Sequence, residues 1–239
     1  MNIALILAGG TGERTGTDIP KQYIEVCGRP ILSYSVECLS AHEGIGAIHI
    51  VADPAWHDWI RKWLESADIG RKFRGFSVPG KNRQLSILHG LEDMKRYAKD
   101  CDCVLVHDAA RPSLSMGLIT ACLEAAQDHE GVLPVLPMRD TMYGSRDGRT
   151  VTNLLDRAQI YAGQAPEVFR MEPYYEANRR LLPERILEIN GSAEPAVLAG
   201  MDVIMIPGDE ENAKITTRED LEKFRKKAER MDCRAESTV

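Results

Sequence analysis

Several features that quickly assign a protein to a class are missing from this chain of 239 residues. No apolar run approaches the ~18 residues of a membrane-spanning helix. Residues 1–7 are too short an apolar stretch for a signal peptide and lack its basic start. Lys and Arg total 30 against 36 Asp and Glu, a net charge of −6, whereas proteins that follow a nucleic acid usually carry a basic excess or stripe. The composition therefore favours small anionic ligands and predicts neither nucleic acid nor membrane as a partner.

The cysteines are too scattered for a metal site or a disulfide scaffold. They form no CxxC pair and have no neighbouring pair of histidines: Cys27, Cys38, Cys101, Cys103, Cys122 and Cys233. We expect reduced thiols and a cytoplasmic protein. Because no repeat, linker or low-complexity tract divides the chain, we expect a single domain over residues 1–232, followed by a disordered tail over residues 233–239.

What the chain does contain is an alternation of short apolar runs with amphipathic stretches. Strands are predicted at 2–7, 46–51, 73–78, 103–107, 132–136 and 202–206, and helices at 30–40, 54–66, 82–98, 113–127 and 217–230. Buried strands that alternate with crossover helices predict a mostly parallel α/β sheet covered on both faces. Ligands of such sheets bind beyond the carboxyl ends of the strands, so residues that directly follow a strand are the candidates for function.

One segment, residues 138–164, interrupts the alternation. It is polar, with the turn-forming pairs Gly144-Ser145 and Asp147-Gly148 between short β-prone pieces. This pattern predicts a β-hairpin arm that projects from the domain, and the alternative is an ordinary surface loop. Loops longer than ~15 residues in a compact domain usually have a function.

A glycine-rich loop follows the first predicted strand, with the sequence Leu7-Ala8-Gly9-Gly10-Thr11-Gly12-Glu13-Arg14. Glycines there let the backbone approach phosphates closely. A P-loop needs GxxxxGK[ST], and no lysine stands at that spacing. A dinucleotide-binding loop needs GxGxxG directly before a helix, whereas Thr15 occupies the third glycine position and Pro20 and Pro30 delay the next helix. The remaining interpretation is a nucleotidyltransferase loop in which Arg14 and Lys21 reach the same phosphates.

Another candidate group lies at the end of the predicted strand 103–107. Asp108 would place its carboxylate at the carboxyl edge of the sheet, where it suits Mg²⁺, which typically takes one or two carboxylates plus substrate phosphates. The alternative is an Asp that caps a turn. Arg111 could clamp a phosphate or form a salt bridge with Asp108. His107 points to the opposite face of the strand, and we expect it to pack in the core.

The order of these motifs resembles that of the cytidylyltransferases that act on 2-C-methyl-D-erythritol 4-phosphate and of their relatives that act on D-ribitol 5-phosphate. The matching segments cover most of the chain: residues 8–16 with 20–23, 80–86, 106–112, 137–141 with 156–157, and 211–216. The resemblance implies a Rossmann-like three-layer α/β sandwich of the nucleotidyltransferase type, with a mostly parallel sheet and a projecting β-arm. It also implies Mg²⁺-dependent transfer of a cytidylyl group from CTP to a small polyol phosphate, in a homodimer joined through the arm.

The resemblance assigns roles to individual residues. Arg14, Lys21 and Lys214 would be catalytic, and Asp108 would bind the metal ion. The nucleotide would be bound by Ala8, Gly9, Gly10, Thr11, Gly12, Gly80, Lys81 and Ser86. The acceptor would be bound by Arg111, Asp140, Thr141 and Arg157. The arm residues among these would act in the site of the partner subunit, with Arg157 on the acceptor phosphate and Asp140 and Thr141 on its hydroxyls.

The chain departs from its relatives at two places that concern the acceptor. Relatives usually carry T-D-E-A-S or T-D-A-C where this chain has residues 190–195, and a threonine where it has Ala165. Because buried polar contacts set selectivity between similar substrates, these changes bear on the acceptor's identity. Residues 107–112 favour methylerythritol phosphate, whereas residues 7–10, 157–164 and 214–217 favour ribitol phosphate, and the balance leans to a ribitol-type acceptor. A nucleotidyltransferase for another sugar or polyol phosphate, and an inactive nucleotide-binding homologue, remain as alternatives.

Overall fold

The computed structural model describes residues 1–10 and 19–236, so Thr11, Gly12 and Arg14 lie outside the described residues. Its strands are β1 (Asn2–Leu7), β2 (Glu25–Val26), β3 (Arg29–Pro30), β4 (Ala47–Val51), β5 (Phe73–Ser77), β6 (Cys103–Asp108), β7 (Gly131–Pro137), β8 (Met142–Gly144), β9 (Asn153–Leu155), β10 (Tyr161–Gly163), β11 (Glu167–Arg170) and β12 (Val203–Pro207). Its α-helices are α1 (Ile31–Ala41), α2 (His57–Ser66), α3 (Arg83–Met94), α4 (Met116–Ala125), α5 (Met171–Arg179), α6 (Glu194–Leu198) and α7 (Arg218–Glu236).

The central sheet is mostly parallel, as the sequence predicts. Strands β5, β4, β1 and β6 lie side by side and run the same way. Strand β11 then lies antiparallel between β6 and β7, while β12 runs parallel to β7 and β10 antiparallel to it. Every residue of β4 and β6 is buried, which is typical of strands covered on both faces.

Helices cover both faces of this sheet and divide the core into two layers. Alternate residues of β1 point into different layers because successive side chains of a strand face opposite sides. Ala4 and Ile6 pack in the cluster that includes Leu32 of α1 and Ile119 of α4. Ile3 and Leu5 pack in the cluster that holds apolar side chains of α3 and α5. The predicted three-layer sandwich is therefore confirmed.

The predicted strands all occur in the structure within one residue of their expected ends, whereas five elements were not predicted from the sequence. These are the short strands β2 and β3, strand β11, and helices α5 and α6. The sequence of β11, Glu-Val-Phe-Arg, has charged ends and only two apolar residues, too few to show a strand period. Helix α7 continues to Glu236, so it includes the first part of the segment 233–239 for which the sequence predicts a disordered tail.

Within residues 138–164 the chain forms an antiparallel hairpin of β8 and β9. Its turn is held by Asp147, whose carboxylate accepts hydrogen bonds from the backbone N–H groups of Arg149 and Thr150. Gly148 follows with a φ of +70°, a conformation that favours glycine. Large apolar side chains on this hairpin are exposed, Tyr143 by 59% and Leu154 by 66%. No helix within residues 1–10 and 19–236 is long and apolar enough to cross a membrane.

Candidate active site

The turn that carries Lys21 is fixed against the start of the glycine-rich loop. Residues Lys21–Tyr23 form a single 3₁₀ turn. The buried Gln22 side chain donates hydrogen bonds to the carbonyl oxygens of Ala8 at 2.6 Å and Gly10 at 2.8 Å. The Tyr23 hydroxyl donates to the same Ala8 carbonyl at 3.0 Å. These bonds place Lys21 beside the loop that the sequence predicts to bind phosphates.

Aromatic contacts of Tyr23 stabilise this turn. The ring of Tyr23 stacks on Trp56 with centroids 4.1 Å apart and meets the edge of Trp59. Burial raises the pKa of the Tyr23 phenol well above its usual range, so the hydroxyl remains a hydrogen-bond donor. The Pro-Lys-Gln-Tyr segment therefore combines one cation with two side chains that anchor it.

A second loop, between β5 and α3, lies directly against the first. A side chain at Gly9 would overlap the ring of Pro79. A Cβ at Gly80 would come within 2.6 Å of Leu85. Both glycines are therefore required by close packing, and the structure brings the predicted nucleotide-binding segments, residues 8–10 and 80–86, together.

Ser86 takes part in this second loop through its hydroxyl. It accepts a hydrogen bond from the Gly80 N–H at 2.9 Å and donates to the Asn82 carbonyl at 2.8 Å. Asn82 caps α3 by accepting from the Leu85 N–H. Ser86 thus shapes the Gly80 turn, while the side chain of Lys81 is exposed.

Three cationic side chains surround Asp108 at the carboxyl end of β6. Its Oδ1 accepts a hydrogen bond from Arg83 Nε at 3.1 Å, and its Oδ2 lies 2.9 Å from Lys214 Nζ and 3.6 Å from Arg111 Nε. Burial raises the pKa of Asp108, but the nearby Arg83 and Lys214 outweigh burial and hold it well below its usual range. Asp108 is therefore a carboxylate anion at any physiological pH.

Two backbone contacts hold the Lys214 segment beside Asp108. The Ile215 N–H donates to the Ala110 carbonyl at 2.8 Å. Arg111 donates through Nη1 to the Asn212 carbonyl at 2.8 Å. The sequence leaves two roles open for Arg111, binding a phosphate or forming a salt bridge with Asp108, and the structure shows the salt bridge.

His107 lies in the core, as predicted. It is fully buried, and its Nε2 lies 3.2 Å from the Ser35 hydroxyl and 3.1 Å from the Arg111 carbonyl. Burial lowers its pKa to about 4, so the imidazole is neutral at physiological pH. His107 therefore supports the turn at Arg111 through the backbone carbonyl group of that residue.

Asp108 fits a role as one ligand of a divalent cation, since it is anionic and lies beside the loops that the sequence predicts to bind phosphates. Within residues 1–10 and 19–236, no group of three or more His, Cys, Asp or Glu side chains is placed to hold a metal ion. A cation at Asp108 would therefore take its remaining ligands from water and substrate phosphates, the pattern usual for Mg²⁺.

Three residues of this cluster were not predicted as functional. Arg83 begins α3, Glu167 begins β11 and Ser192 precedes α6. Arg83 contacts both Asp108 and the Ser192 hydroxyl, which donates to Glu167 Oε1 at 2.7 Å. The position of Arg83, first in a helix after a strand, could have indicated it. Glu167 gives no local signal, and Ser192 lies in the segment 190–195, which the sequence indicates only for the acceptor, because both residues reach the cluster through the unpredicted strand β11 and the loop after α5.

Among the described residues, the predicted acceptor residues on the arm form no hydrogen bond or ion pair with the Asp108 cluster of the same chain. Asp140, Thr141 and Arg157 are exposed. Arg157 donates to the Arg139 carbonyl at 2.8 Å, and Arg139 forms an ion pair with Glu210. The expected place of these side chains is the site of a second subunit.

Comparisons with known proteins agree with this geometry. The family model for 2-C-methyl-D-erythritol 4-phosphate cytidylyltransferase matches residues 2–227. A protein of that name from Nitrosomonas eutropha is 34% identical over 223 residues, which cover 92% of this chain and 93% of the relative. A ribitol-5-phosphate cytidylyltransferase from Streptococcus agalactiae serotype V is 27% identical over 226 residues, 94% of each chain.

Longer relatives and solved structures also match. The bifunctional enzyme IspD/IspF of Paramagnetospirillum magneticum is 34% identical, and this chain spans 56% of its length. The crystal structure of 4-diphosphocytidyl-2C-methyl-D-erythritol synthase from Anaerococcus prevotii has a TM-score of 0.80 at 25% identity, covering 95% of this chain and 96% of that one. The Francisella tularensis 2-C-methyl-D-erythritol 4-phosphate cytidylyltransferase has a TM-score of 0.77 at 23% identity, covering 93% of this chain and 97% of that one, and shows the shared fold. The chain belongs to the 2-C-methyl-D-erythritol 4-phosphate cytidylyltransferase family.

Proposed function

We propose that this protein transfers the cytidylyl group of CTP to the phosphate of D-ribitol 5-phosphate or 2-C-methyl-D-erythritol 4-phosphate, forming a CDP-polyol and pyrophosphate. The observation that carries the proposal is the convergence of Arg83, Arg111 and Lys214 on the Asp108 carboxylate, beside two glycine-dependent loops. Membership of the family narrows this phosphate chemistry to cytidylyl transfer, and its named relatives act on both acceptors.

The reaction needs positioning and charge rather than a strong base. A phosphate oxygen of the acceptor forms a new bond to the α-phosphorus of CTP, and the bond from that phosphorus to pyrophosphate breaks. The attacking phosphomonoester is already anionic at neutral pH, since its second pKa is about 6. Lys21, Lys214 and Arg14 would offset the negative charge on the α-phosphate and the leaving group. The loops of residues 8–12 and 80–81 would hold the nucleotide, with Ser86 shaping the second of them.

Mg²⁺ is the cofactor of this proposal, with Asp108 as its protein ligand. Bound there, the ion would supply positive charge to the substrate phosphates. Lys214 and Arg111 share the same Oδ2 of Asp108, so each is also within reach of a phosphate that binds beside this carboxylate.

The acceptor site is proposed to form across a homodimer through the arm. The exposed apolar side chains Tyr143, Val151 and Leu154 offer a surface that a second copy would cover. Asp140, Thr141 and Arg157 would then reach the acceptor in the partner's site. We also propose a cytoplasmic location, in keeping with the thiols of Cys38, Cys101, Cys103 and Cys122, which form no disulfide within the described part of the chain.

An acceptor panel tests the proposal. Pyrophosphate release is measured with CTP, Mg²⁺ and one acceptor at a time: D-ribitol 5-phosphate, 2-C-methyl-D-erythritol 4-phosphate, glycerol 3-phosphate or xylitol 5-phosphate. We expect turnover with one of the first two, and a preference for CTP over UTP, GTP and ATP. Turnover only with glycerol 3-phosphate or xylitol 5-phosphate would identify a transferase for another polyol phosphate. CTP binding by calorimetry without turnover on any acceptor would identify an inactive homologue.

A further inference from the structure

A chain of side-chain contacts runs from Glu167 to Asp108 through two intermediate residues. Ser192 Oγ donates to Glu167 Oε1 at 2.7 Å, and Arg83 Nη1 donates to the same Ser192 oxygen. The Nε and Nη2 groups of Arg83 then both lie 3.1 Å from Asp108 Oδ1. The guanidinium of Arg83 is therefore held at both of its ends, by Ser192 on one side and by Asp108 on the other.

The direction of these hydrogen bonds follows from the groups involved. A guanidinium can only donate, so Ser192 must accept from Arg83 and must use its single hydroxyl hydrogen elsewhere. Glu167 Oε1 is the acceptor of that hydrogen. A carboxylate at position 167 thereby orients the serine so that a lone pair faces Arg83.

Glu167 is a second carboxyl group beside a cluster in which cations outnumber carboxylates. Arg83, Arg111 and Lys214 share the single carboxylate of Asp108. Burial raises the pKa of Glu167, and Arg83 and the Ser192 hydrogen bond offset this rise only in part. Burial lowers the pKa of Arg83, but Asp108 and Glu167 outweigh burial and raise it. Glu167 therefore acts on Arg83 through space as well as through Ser192.

The carboxyl group of Glu167 accepts the Ser192 hydrogen bond through Oε1. Glu167 and Ser192 are 8% and 2% exposed. Glu167 Oε2 has no hydrogen-bond partner among the described residues, those from 1 to 10 and from 19 to 236. A purely structural carboxylate in the core would be expected to satisfy both oxygens. Its backbone is rigidly placed, because β11 pairs Glu167 with Val106 of β6, two residues before Asp108.

We propose that Glu167, acting through Ser192, is a positioning residue that fixes the guanidinium of Arg83 against Asp108. Arg83 then holds one oxygen of Asp108, so that the other oxygen and Lys214 are presented toward the phosphate-binding loops. The catalytic consequence rests on the proposed function, whereas the geometry of Arg83 does not. Neither Glu167 nor Ser192 needs to touch a substrate.

Two substitutions test the hydrogen bond between Arg83 and Ser192 separately from the charge of Glu167. Ser192→Ala removes the acceptor for Arg83 and keeps both charged groups. Glu167→Gln keeps an oxygen acceptor for Ser192 and nearly the same volume but removes the charge, so it remains informative if Ser192→Ala folds poorly. Ser33→Ala and Asp102→Asn are matched controls. Ser33 and Asp102 are buried as deeply, and they lie in α1 and directly before β6, away from the cluster.

The first measurement is the ¹⁵N–¹H signal of the Arg83 Nε–H group by NMR, assigned by its loss in Arg83→Lys. This signal reports how firmly the guanidinium is held and does not depend on any activity. We expect it to be sharp in the unsubstituted protein and in both controls, broadened or lost in Ser192→Ala, and broadened to a smaller extent in Glu167→Gln, which keeps the acceptor for Ser192. An unchanged signal in folded Ser192→Ala, or in Glu167→Gln if Ser192→Ala does not fold, overturns the proposal, whatever the protein catalyses.

The second measurement is steady-state turnover with CTP and the acceptor that works in the panel. We expect kcat to fall roughly 10- to 100-fold in Ser192→Ala, the range typical when the support of a ligand-orienting side chain is removed, with KM for CTP changed much less. The double variant Arg83→Lys with Ser192→Ala should be no slower than Arg83→Lys alone, because both changes affect the same contact. Additive losses would overturn the positioning role. Absence of turnover in the unsubstituted protein would refute the proposed function and leave the NMR result to decide this inference.

Discussion

The Asp108 cluster and the arm differ in how their functional side chains are held. Around the buried Asp108, side chains from β6, α3 and the segment before α7 hold one another within one chain. On the arm, Asp140, Thr141 and Arg157 are exposed, and Tyr143 and Leu154 present apolar surface to solvent. The Asp108 cluster is therefore complete within one chain, whereas the acceptor-binding role proposed for the arm requires contacts with a second chain.

The largest effect is expected when Lys21, the cation beside the glycine-rich loop, is removed. We expect Lys21→Ala to lower kcat by about 10³-fold, because it removes one positive group aimed at the developing phosphate charge. CTP affinity, measured by calorimetry, should fall only modestly, since Gln22 and Tyr23 still hold the loop. Lys62→Ala, at an exposed position on α2, is the control. Near-normal turnover in Lys21→Ala would remove Lys21 from the mechanism.

A change on the arm should affect the other substrate. We expect Arg157→Ala to raise KM for the acceptor by roughly 10- to 100-fold, the scale of a lost charged contact to phosphate, and to leave KM for CTP nearly unchanged. Mixed dimers of Arg157→Ala and Lys21→Ala subunits should regain part of the activity, since one of the two sites then has both residues intact. Equal increases in the two KM values would contradict the acceptor role. No recovery in verified mixed dimers would contradict the shared site.

The exposed apolar surface of the arm gives a third test. Leu154→Asp should weaken the dimer, because a charge would have to be buried at the contact. Size-exclusion chromatography should show a shift toward monomer, while CTP affinity remains that of the unsubstituted protein. Leu198→Asp, at an exposed leucine on α6, is the matched control and should leave the dimer intact. If both variants behave alike, the arm is not the dimer surface.

The smallest expected effect concerns the cap of α7, which follows Lys214. Asp220 accepts hydrogen bonds from the N–H groups of Thr216 and Thr217. Burial raises the pKa of Asp220, but these hydrogen bonds outweigh burial and lower the pKa to about 2. A carboxyl group whose pKa is lower in the folded state stabilises the fold above its unfolded pKa of about 3.9, and this contribution disappears as the pH falls toward 2. Asp220→Asn should cost about 1 kcal/mol at pH 7. Urea denaturation should show that this difference shrinks between pH 4 and pH 2, and a difference independent of pH would contradict the assignment.

Much of the site was predictable because its parts are local. The apolar run of β1, the glycines that follow it and an Asp at the end of β6 are all visible in the order of residues, and the parallel sheet brings them to one edge. Asn82 could be predicted as a cap from its position alone. The partners of Arg83 could not be predicted, since Glu167 and Ser192 lie 84 and 109 residues away in the chain and meet it only after β11 has paired. Contacts that depend on tertiary pairing leave no periodic pattern to detect.

Strand β11 runs antiparallel to β6, and the support of Arg83 comes from two separate segments of the chain, which natural variation or engineering could change independently. The first residue of β11 lies near the carboxyl end of β6, so substitutions at Glu167 alter the charge beneath the site from a rigid strand. The loop that ends in α6 supplies Ser192 from another part of the chain. Neither segment includes residues 8–10, which are proposed to hold the nucleotide. A library confined to residues 165–167 and 190–195 would therefore vary the support of Arg83 from two separate segments while leaving the sequence of that loop unchanged.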